Sequence, residues 1–434
     1  MKQHRIFRRT MLIACLMTCA TMSAADSIAV DQPRPALSYE LRYSPGKTLA
    51  MDDYVKQLVK KQTTHSIHLE VHYRPVDPTT AMDESNSFDS HYNFPSLVAG
   101  LRYNFNHGTT MHRDADKDWG NLQTVDYTTH LGDAVSLYGG FIRPFFRNKH
   151  WECSYHVATG VGYAWNKYNR TDAIDNEMVG AHVSIYFAGG ISANYRMGKQ
   201  WSLRGGLEFA HHSNGALQRP NKGANYFGPF LGLIYTPQQD TERQPVGHDN
   251  QQHAVQEPFH PYWFVETTLG FGGKSLLEEW DHTQLELPPT DPDYRTEHFR
   301  IYPAYSLQLA IMNRYQLCYA SGLALDLFYG TYSNDVKRLD EAAGRSAKYS
   351  PFSAALAFKQ DFYYKQWTLH GSIGYYLYRH MGPSAEEIEK PYYERIGLTY
   401  SFKQWHNIAV GFNVKAHLGK ADFTELQIVV PFKL

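Results

Sequence analysis

Stretches of alternating apolar and polar residues, each about ten to fifteen residues long, fill most of the chain and constrain its fold more than any other feature. Such alternation puts the apolar side chains on one face of a β-strand. The connections between the stretches alternate in length. The short polar turns are Arg147–His150, Met197–Gln200, Asn313-Arg314, Tyr364–Gln366 and Lys403–His406, and the long loops are Asn166–Gly180, Gly273–His298, Thr331–Ser350 and Arg379–Pro391. Short turns at one end and long loops at the other are typical of barrels in bacterial outer membranes.

The final stretch indicates which face of a strand meets lipid. Leu426 and Ile428 share one face with Thr424, whereas Glu425 and Gln427 share the other. That is the apolar-out, polar-in pattern of a barrel wall. After the N-terminal segment, the chain has no run of about 18 apolar residues, which a spanning helix would need. We therefore predict an all-β fold, an antiparallel transmembrane outer-membrane β-barrel of roughly 14–16 strands.

The N-terminus has the pattern of a secretory signal peptide, because a basic start that includes Lys2 and Arg5 precedes a short apolar run and small residues. We divide the chain into a signal peptide at 1–25, an N-terminal extension at 26–64, a barrel half at 65–236, a polar linker or long turn at 237–258, and a C-terminal barrel half at 259–434. The pattern leaves open whether the two halves form one barrel or two.

Charge indicates the class of partner. The chain has 42 basic and 43 acidic residues and no long basic run, so we predict no nucleic-acid partner. The expected partners are the outer membrane, which is also the predicted location, and the lipids of its outer leaflet. The oligomeric state stays undetermined.

The strand Trp201–Ser213 carries the residues with the clearest potential for chemistry. Leu203, Leu207 and Phe209 fall on its apolar face, which should meet lipid. Continuing the two-residue period places His211 and Ser213 on that same face, close enough for a hydrogen bond. A histidine beside a hydroxyl is the pair that general-base activation of a nucleophile needs.

The turn alternation places the end of this strand at an extracellular loop, at about the depth of lipid ester linkages. If the next strand returns as a hairpin, Asn225 lies beside His211. Its side-chain oxygen can accept the imidazole N–H and fix the tautomer, although it cannot offset the imidazolium charge as a carboxylate does.

The run His211-His212-Ser213-Asn214-Gly215, followed by Pro220-Asn221-Lys222-Gly223, resembles the active-site stretch of the outer-membrane lipid A 3-O-deacylases. The resemblance covers roughly residues 65–236 and implies catalytic roles for His211 and Ser213 and an important role for Asn214. The family has a carboxylate where this chain has Asn225, so the chain departs from the family pattern there.

Two further resemblances bear on this interpretation. Outer-membrane phospholipase A also carries His-x-Ser-Asn-Gly, and an asparagine completes its triad at the spacing between Ser213 and Asn225. The closing stretch 413–423 resembles the end of larger barrel proteins called acyloxyacyl hydrolases. The Pro-Asn-x-Gly loop favours the deacylases.

Plainer interpretations exist for each residue. Ser213-Asn214-Gly215 is also a good turn sequence. His211 and His212 point to opposite faces of a strand, so they cannot chelate one ion together, and we predict no metal site. His248, His253 and His260, in and beside the polar linker, lack regular ligand spacing and are most simply solvated.

The resulting hypothesis is a carboxylic ester hydrolase that removes an ester-linked acyl chain from lipid A of lipopolysaccharide without a cofactor. Ser213 is the nucleophile, His211 the base and Asn225 its orienting partner, and Asn214 or backbone N–H groups after Ser213 stabilise the oxyanion. Three alternatives stay open: an outer-membrane phospholipase A, a channel, and a non-catalytic lipid-binding barrel.

Overall fold

The computed structural model describes residues 36–75, 87–115, 124–237, 258–387 and 389–434. The predicted signal peptide at 1–25 and nearly all of the predicted linker at 237–258 lie outside the described residues. Among these residues, no helix is long and apolar enough to span a membrane.

Two closed antiparallel barrels of eight strands each make up the fold. The part of the chain that forms the first barrel contains, in order, β1 (Ala36–Leu49), α1 (Asp53–Leu58), β2 (Val59–Arg74), α2 (Phe88–His91), β3 (Ser96–Phe105), β4 (Thr109–Met111), β5 (Thr129–His130), β6 (Ala134–Arg147), β7 (Trp151–Ala164), β8 (Val183–Arg196), β9 (Trp201–Ser213) and β10 (Ala224–Tyr235). Strands β4 and β5 are a short extension on β2, and the other eight close the wall.

The second barrel uses the remainder of the chain. Its elements are β11 (Tyr262–Lys274), α3 (Leu277–Asp281), a π-helical turn (His282–Glu286), β12 (Tyr302–Gln316), β13 (Tyr319–Gly330), α4 (Ser333–Ala342), β14 (Tyr349–Tyr364), β15 (Trp367–Met381), α5 (Pro383–Glu387), β16 (Tyr392–Phe402), a 3-10 turn (Lys403–Trp405), β17 (Ile408–His417) and β18 (Lys420–Lys433). Each strand pairs with its neighbour in sequence, and β18 pairs with β11 to close the wall.

Paired charges fill the lumen of each barrel. In the first barrel, Arg42 lies 3.0 Å from both Glu70 and Glu208. In the second, Arg395 lies 3.3 Å from Asp326. An eight-stranded barrel has an interior just wide enough for side chains, and ions buried there are tolerated because they are paired.

The fold class is confirmed as an all-β antiparallel transmembrane barrel, and the sixteen wall strands agree with the upper end of the predicted count. The strands are divided over two barrels, which resolves the alternative that the sequence left open. The wide aqueous lumen of a single sixteen-stranded barrel, on which the channel alternative rested, is not the architecture of the described residues.

The predicted N-terminal extension at 26–64 is wrong for its described part. Strand β1 pairs with both β10 and β2, with Leu41 opposite Leu233 on one side and Leu69 on the other, so it closes the first barrel. Exposed apolar residues alternate along β1, as they do in a strand of the barrel wall. Pro45-Gly46 interrupts this alternation in the sequence, and for that reason the sequence does not predict the strand.

The two barrels stand side by side and touch at both ends. Near the short turns, the Tyr364 hydroxyl donates to Asp89 (2.7 Å). Among the long loops, the rings of Tyr168 and Trp280 meet edge to face, with centroids 5.0 Å apart. Loops of the second barrel therefore lie beside the end of β9.

Candidate active site

His211 and Ser213 lie at the C-terminal end of strand β9, which begins and ends at the predicted residues. Leu207 and Phe209, four and two residues before His211, are exposed on the outer wall, whereas Glu208 is buried in the lumen. The period of two therefore carries His211 and Ser213 onto the outer, lipid-facing wall beside the long loops. Both side chains are half-buried.

Asn225 contacts the imidazole of His211. The two residues are directly opposite in the β9–β10 register, and Asn225 Oδ1 lies 2.7 Å from His211 Nδ1. The Asn225 amide nitrogen donates to the carbonyl oxygens of Leu49 and Gly223, each at 3.4 Å. Because those carbonyls need a donor, the Asn225 oxygen faces the histidine, and Nδ1 carries the proton. Nε2 is then the basic nitrogen.

The Ser213 hydroxyl lies in a small network with the following loop. It donates to Asn221 Oδ1 (3.2 Å) and accepts from the backbone N–H of Gly215 (3.1 Å). The same Asn221 oxygen accepts from the backbone N–H of Asn214 (3.0 Å). The predicted hydrogen bond between Ser213 and His211 is therefore not formed in this arrangement, because the hydroxyl donates to Asn221 instead. Catalytic hydrogen bonds often form only when substrate is bound.

Asn214 is buried, and both polar atoms of its side chain hold the loop. Its amide nitrogen donates to Gln218 O (3.1 Å), and its oxygen accepts from Gln218 N–H (3.2 Å). Of the two predicted oxyanion donors, the side chain is thus engaged elsewhere, and the backbone N–H of Gly215 is the donor that faces the hydroxyl.

Asn221 is the residue at the site to which the sequence reasoning gave no role. The only signal was its place in the Pro-Asn-x-Gly run, where proline and glycine already indicate a turn. Its contact with Ser213 spans eight residues of irregular loop, and no strand period predicts a contact of that kind.

His212 points into the first barrel, as predicted. It lies near the hydroxyls of Ser136 (3.4 Å) and Ser184 (3.5 Å), and its ring meets Tyr186 edge to face. A narrow pocket lies between His212, Ser213 and Asn221.

Charged groups from several loops interact with one another near Lys222, in the loop that follows Ser213. Burial raises the pKa of Glu177 to about 7, although Lys222 and Arg113 act to lower it. The backbone N–H of Lys222 donates to Glu177 O (3.2 Å), which joins the β7–β8 loop to the loop after Ser213. Burial acts to raise the pKa of Asp52, but Lys222 and Lys420 hold that pKa below its usual range.

An acid–histidine–hydroxyl chain lies inside the second barrel. His370 Nδ1 donates to Asp361 (2.8 Å), and the Thr399 hydroxyl lies 2.7 Å from His370 Nε2. Asp361 and Thr399 are almost fully buried in a lumen filled with side chains. A substrate has no route to that hydroxyl, so geometry favours the outer-wall site.

Among the described residues, three groups place three possible metal-ligand atoms close together. They are Glu40, Glu70 and His72; Glu266, Asp361 and His370; and Glu389, His417 and Asp422. Each group also contains an ion pair to a basic side chain: Arg204 with Glu40, Lys359 with Glu266, and Lys415 with Asp422. A cationic group therefore already neutralises each set of carboxylates.

Family models match parts of both barrels. The family model described as lipid A 3-O-deacylase (PagL) matches residues 97–233, and that described as acyloxyacyl hydrolase, C-terminal domain, matches residues 263–434. No curated protein matches the chain.

Two solved structures illustrate the structural similarity. The outer membrane enzyme PagL is 13% identical with a TM-score of 0.27, over 44% of this chain and 97% of that one. An outer membrane channel from Pseudomonas putida F1 is 9% identical with a TM-score of 0.20, over 94% and 100%.

Proposed function

Because this chain belongs to the lipid A 3-O-deacylase family and carries the acyloxyacyl hydrolase C-terminal domain, we propose that it is an outer-membrane serine esterase. Its proposed reaction removes an ester-linked acyl chain from lipid A of lipopolysaccharide. The observation that carries the proposal is the contact between Asn225 and His211, two residues before Ser213 on the outer wall.

The exposed aromatic residues support the proposed depth of the site. Near the short turns, the Trp151 and Tyr195 rings pair with centroids 4.9 Å apart, and those of Trp201 and Tyr235 with centroids 4.8 Å apart. Such rings mark the membrane interface. Ser213 lies at the opposite end of β9 from Trp201, where the ester linkages of outer-leaflet lipids would meet the wall.

In the proposed mechanism, Ser213 Oγ attacks the ester carbonyl while His211 Nε2 takes its proton. The tetrahedral intermediate collapses, and His211 returns the proton to the leaving alkoxide of the sugar. Water, deprotonated by His211, then hydrolyses the acyl–Ser213 ester and releases the fatty acid. The backbone N–H of Gly215 is the proposed oxyanion donor.

Asn225 suits this site better than a carboxylate does. Its amide nitrogen faces the carbonyl oxygens of Leu49 and Gly223. A carboxylate there would place a second oxygen against two acceptors, with no proton between them. The departure from the deacylase pattern is thus consistent with a working orienting residue, and this argues against the non-catalytic alternative.

A phospholipase A is the second candidate, because its asparagine at the third position resembles Asn225. The lipid that is cut separates the two functions. Among the described residues, paired side chains fill both lumens, which argues against the channel alternative.

Mass spectrometry of lipids from cells that express the protein or its Ser213→Ala variant tests the proposal. Loss of one hydroxyacyl mass from lipid A with the wild type alone would support a lipid A esterase. Lysophospholipids without altered lipid A would indicate the phospholipase instead. Unchanged lipids of both classes, with the protein shown to be folded in the outer membrane, would refute the esterase proposal.

A further inference from the structure

Four residues of the loop that follows Ser213 form hydrogen bonds with the second barrel. The Thr424 hydroxyl, from β18, donates to Gly215 O (3.0 Å). Ser275, just after β11, donates to Ala216 O from its backbone N–H (2.7 Å) and from its hydroxyl (3.0 Å). These bonds cross from one barrel to the other within three residues of the nucleophile.

The far side of the loop is held in the same way. The Arg219 guanidinium donates to Ser275 O from Nη2 (2.8 Å) and Nε (3.2 Å). The Gln218 amide donates to Glu297 O (2.7 Å). Arg219 stands two residues before Asn221, the acceptor of the Ser213 hydroxyl. The second barrel therefore binds the loop both just after Ser213 and just before Asn221.

Gly215 is the point at which the second barrel and the nucleophile meet. Its N–H donates to Ser213 Oγ, and its carbonyl accepts from Thr424. Its φ of +65° is in the left-handed region. A Cβ there would lie 1.9 Å from Thr424 Oγ1, so only glycine permits this approach.

We propose that the second barrel positions the active site of the first, and that Thr424 is a positioning residue for the Ser213 nucleophile. This inference rests on the proposed esterase function. By holding the Gly215 carbonyl, Thr424 restrains the backbone torsions of Gly215 and so the position of its N–H, which faces the serine hydroxyl and is the proposed donor to the oxyanion. Misplacement of such groups by about 1 Å can reduce a rate ~100-fold.

Thr424→Val tests the inference, because it removes the hydroxyl and keeps the shape. Thr424→Ser restores the hydroxyl. Thr331→Val is the matched control, since the Thr331 hydroxyl donates to Pro303 O (2.8 Å) within the second barrel alone. All are made in the full chain, and folding is checked by the heat-dependent gel shift of intact barrels.

Two readouts are measured: deacylation of lipid A in mixed micelles, and the rate at which a fluorophosphonate probe labels Ser213. For Thr424→Val we expect kcat and the labelling rate to fall ~10-fold or more with KM little changed, Thr424→Ser to recover most of both, and Thr331→Val to match the wild type.

Several results would overturn the inference. Equal rates for wild type and Thr424→Val would do so, as would equal losses in Thr331→Val or no recovery in Thr424→Ser. A wild type that is neither labelled at Ser213 nor active would overturn the proposed function itself, and the inference with it. If the probe labels Ser213 in the wild type, the proposed nucleophile is supported even when the Thr424 variants contradict the inference.

Discussion

The amide nitrogen of Asn225 lies 3.4 Å from the carbonyl oxygen of Leu49, the last residue of β1. The strand that closes the first barrel therefore also orients the residue that contacts His211. Because this carbonyl needs a donor, the identity of residue 225 depends on β1 as well as on the histidine.

This contact predicts that Asn225→Asp lowers activity, although a carboxylate is the stronger partner for imidazolium in other triads. The new oxygen would face the carbonyls of Leu49 and Gly223 without a proton. We expect kcat at neutral pH to fall ~10-fold or more, as for loss of a well-placed catalytic group. Steady-state kinetics on the purified barrels would check this, and a gain of activity in Asn225→Asp would contradict our account of the site.

The adjacent histidines predict opposite outcomes for the same substitution. His211→Gln should reduce kcat by ~100-fold or more, because the proposed general base is lost. His212→Gln should stay within a few fold of the wild type, since that side chain faces Ser136 and Tyr186 inside the barrel. Steady-state kinetics of both variants, measured side by side, would test these two expectations. Equal losses would mean that the lumen side, not the outer wall, carries the chemistry.

Asn221 should matter for turnover more than for folding. Its oxygen accepts from the Ser213 hydroxyl and the Asn214 N–H, so Asn221→Ala frees both, and we expect kcat to drop ~10-fold or more. Asn148→Ala is the control, because the Asn148 side-chain oxygen also accepts two hydrogen bonds, both from backbone N–H groups, at a short turn far from the site. A loss common to both variants would indicate a general effect of turn stability.

The loop that carries Glu177 should loosen as pH rises. Burial raises the pKa of Glu177 to about 7, above the ~4.3 of an unfolded glutamate. The folded loop therefore holds the proton more tightly, and the stabilisation present below that lower value is lost as pH rises through about 7.

Hydrogen exchange at the Lys222 and Gly223 amides, which donate to the backbone of this loop, would report the change after correction for intrinsic rates. We expect protection to fall between about pH 4.5 and 7 in the wild type and to stay level in Glu177→Gln. Flat protection in both proteins would show that Glu177 does not control the loop.

The sequence predicted those parts of the site that one hairpin determines. Trp201–Ser213 is a strand with the predicted bounds, and antiparallel pairing across the next turn places Asn225 opposite His211. Both follow from a period of two residues and from counting along neighbouring strands.

Other parts could not be predicted because alternation gives the face of a strand but not its partners. Nothing local indicates that β1 pairs with β10, nearly two hundred residues away, or that eight strands close instead of sixteen. The bond from Thr424 to Gly215 joins residues 209 positions apart, so it depends on how two finished barrels meet. Asn221 reaches Ser213 through irregular loop, where no period applies.

The outward direction of Ser213 has a kinetic consequence. A nucleophile that opens sideways into a leaflet meets its substrate by lateral diffusion in two dimensions. Its rate would then follow the mole fraction of substrate in the surface rather than the amount in solution. Inert detergent added to mixed micelles would slow turnover at constant total substrate. In the cell, the density of lipid in the outer leaflet would determine the rate of the reaction.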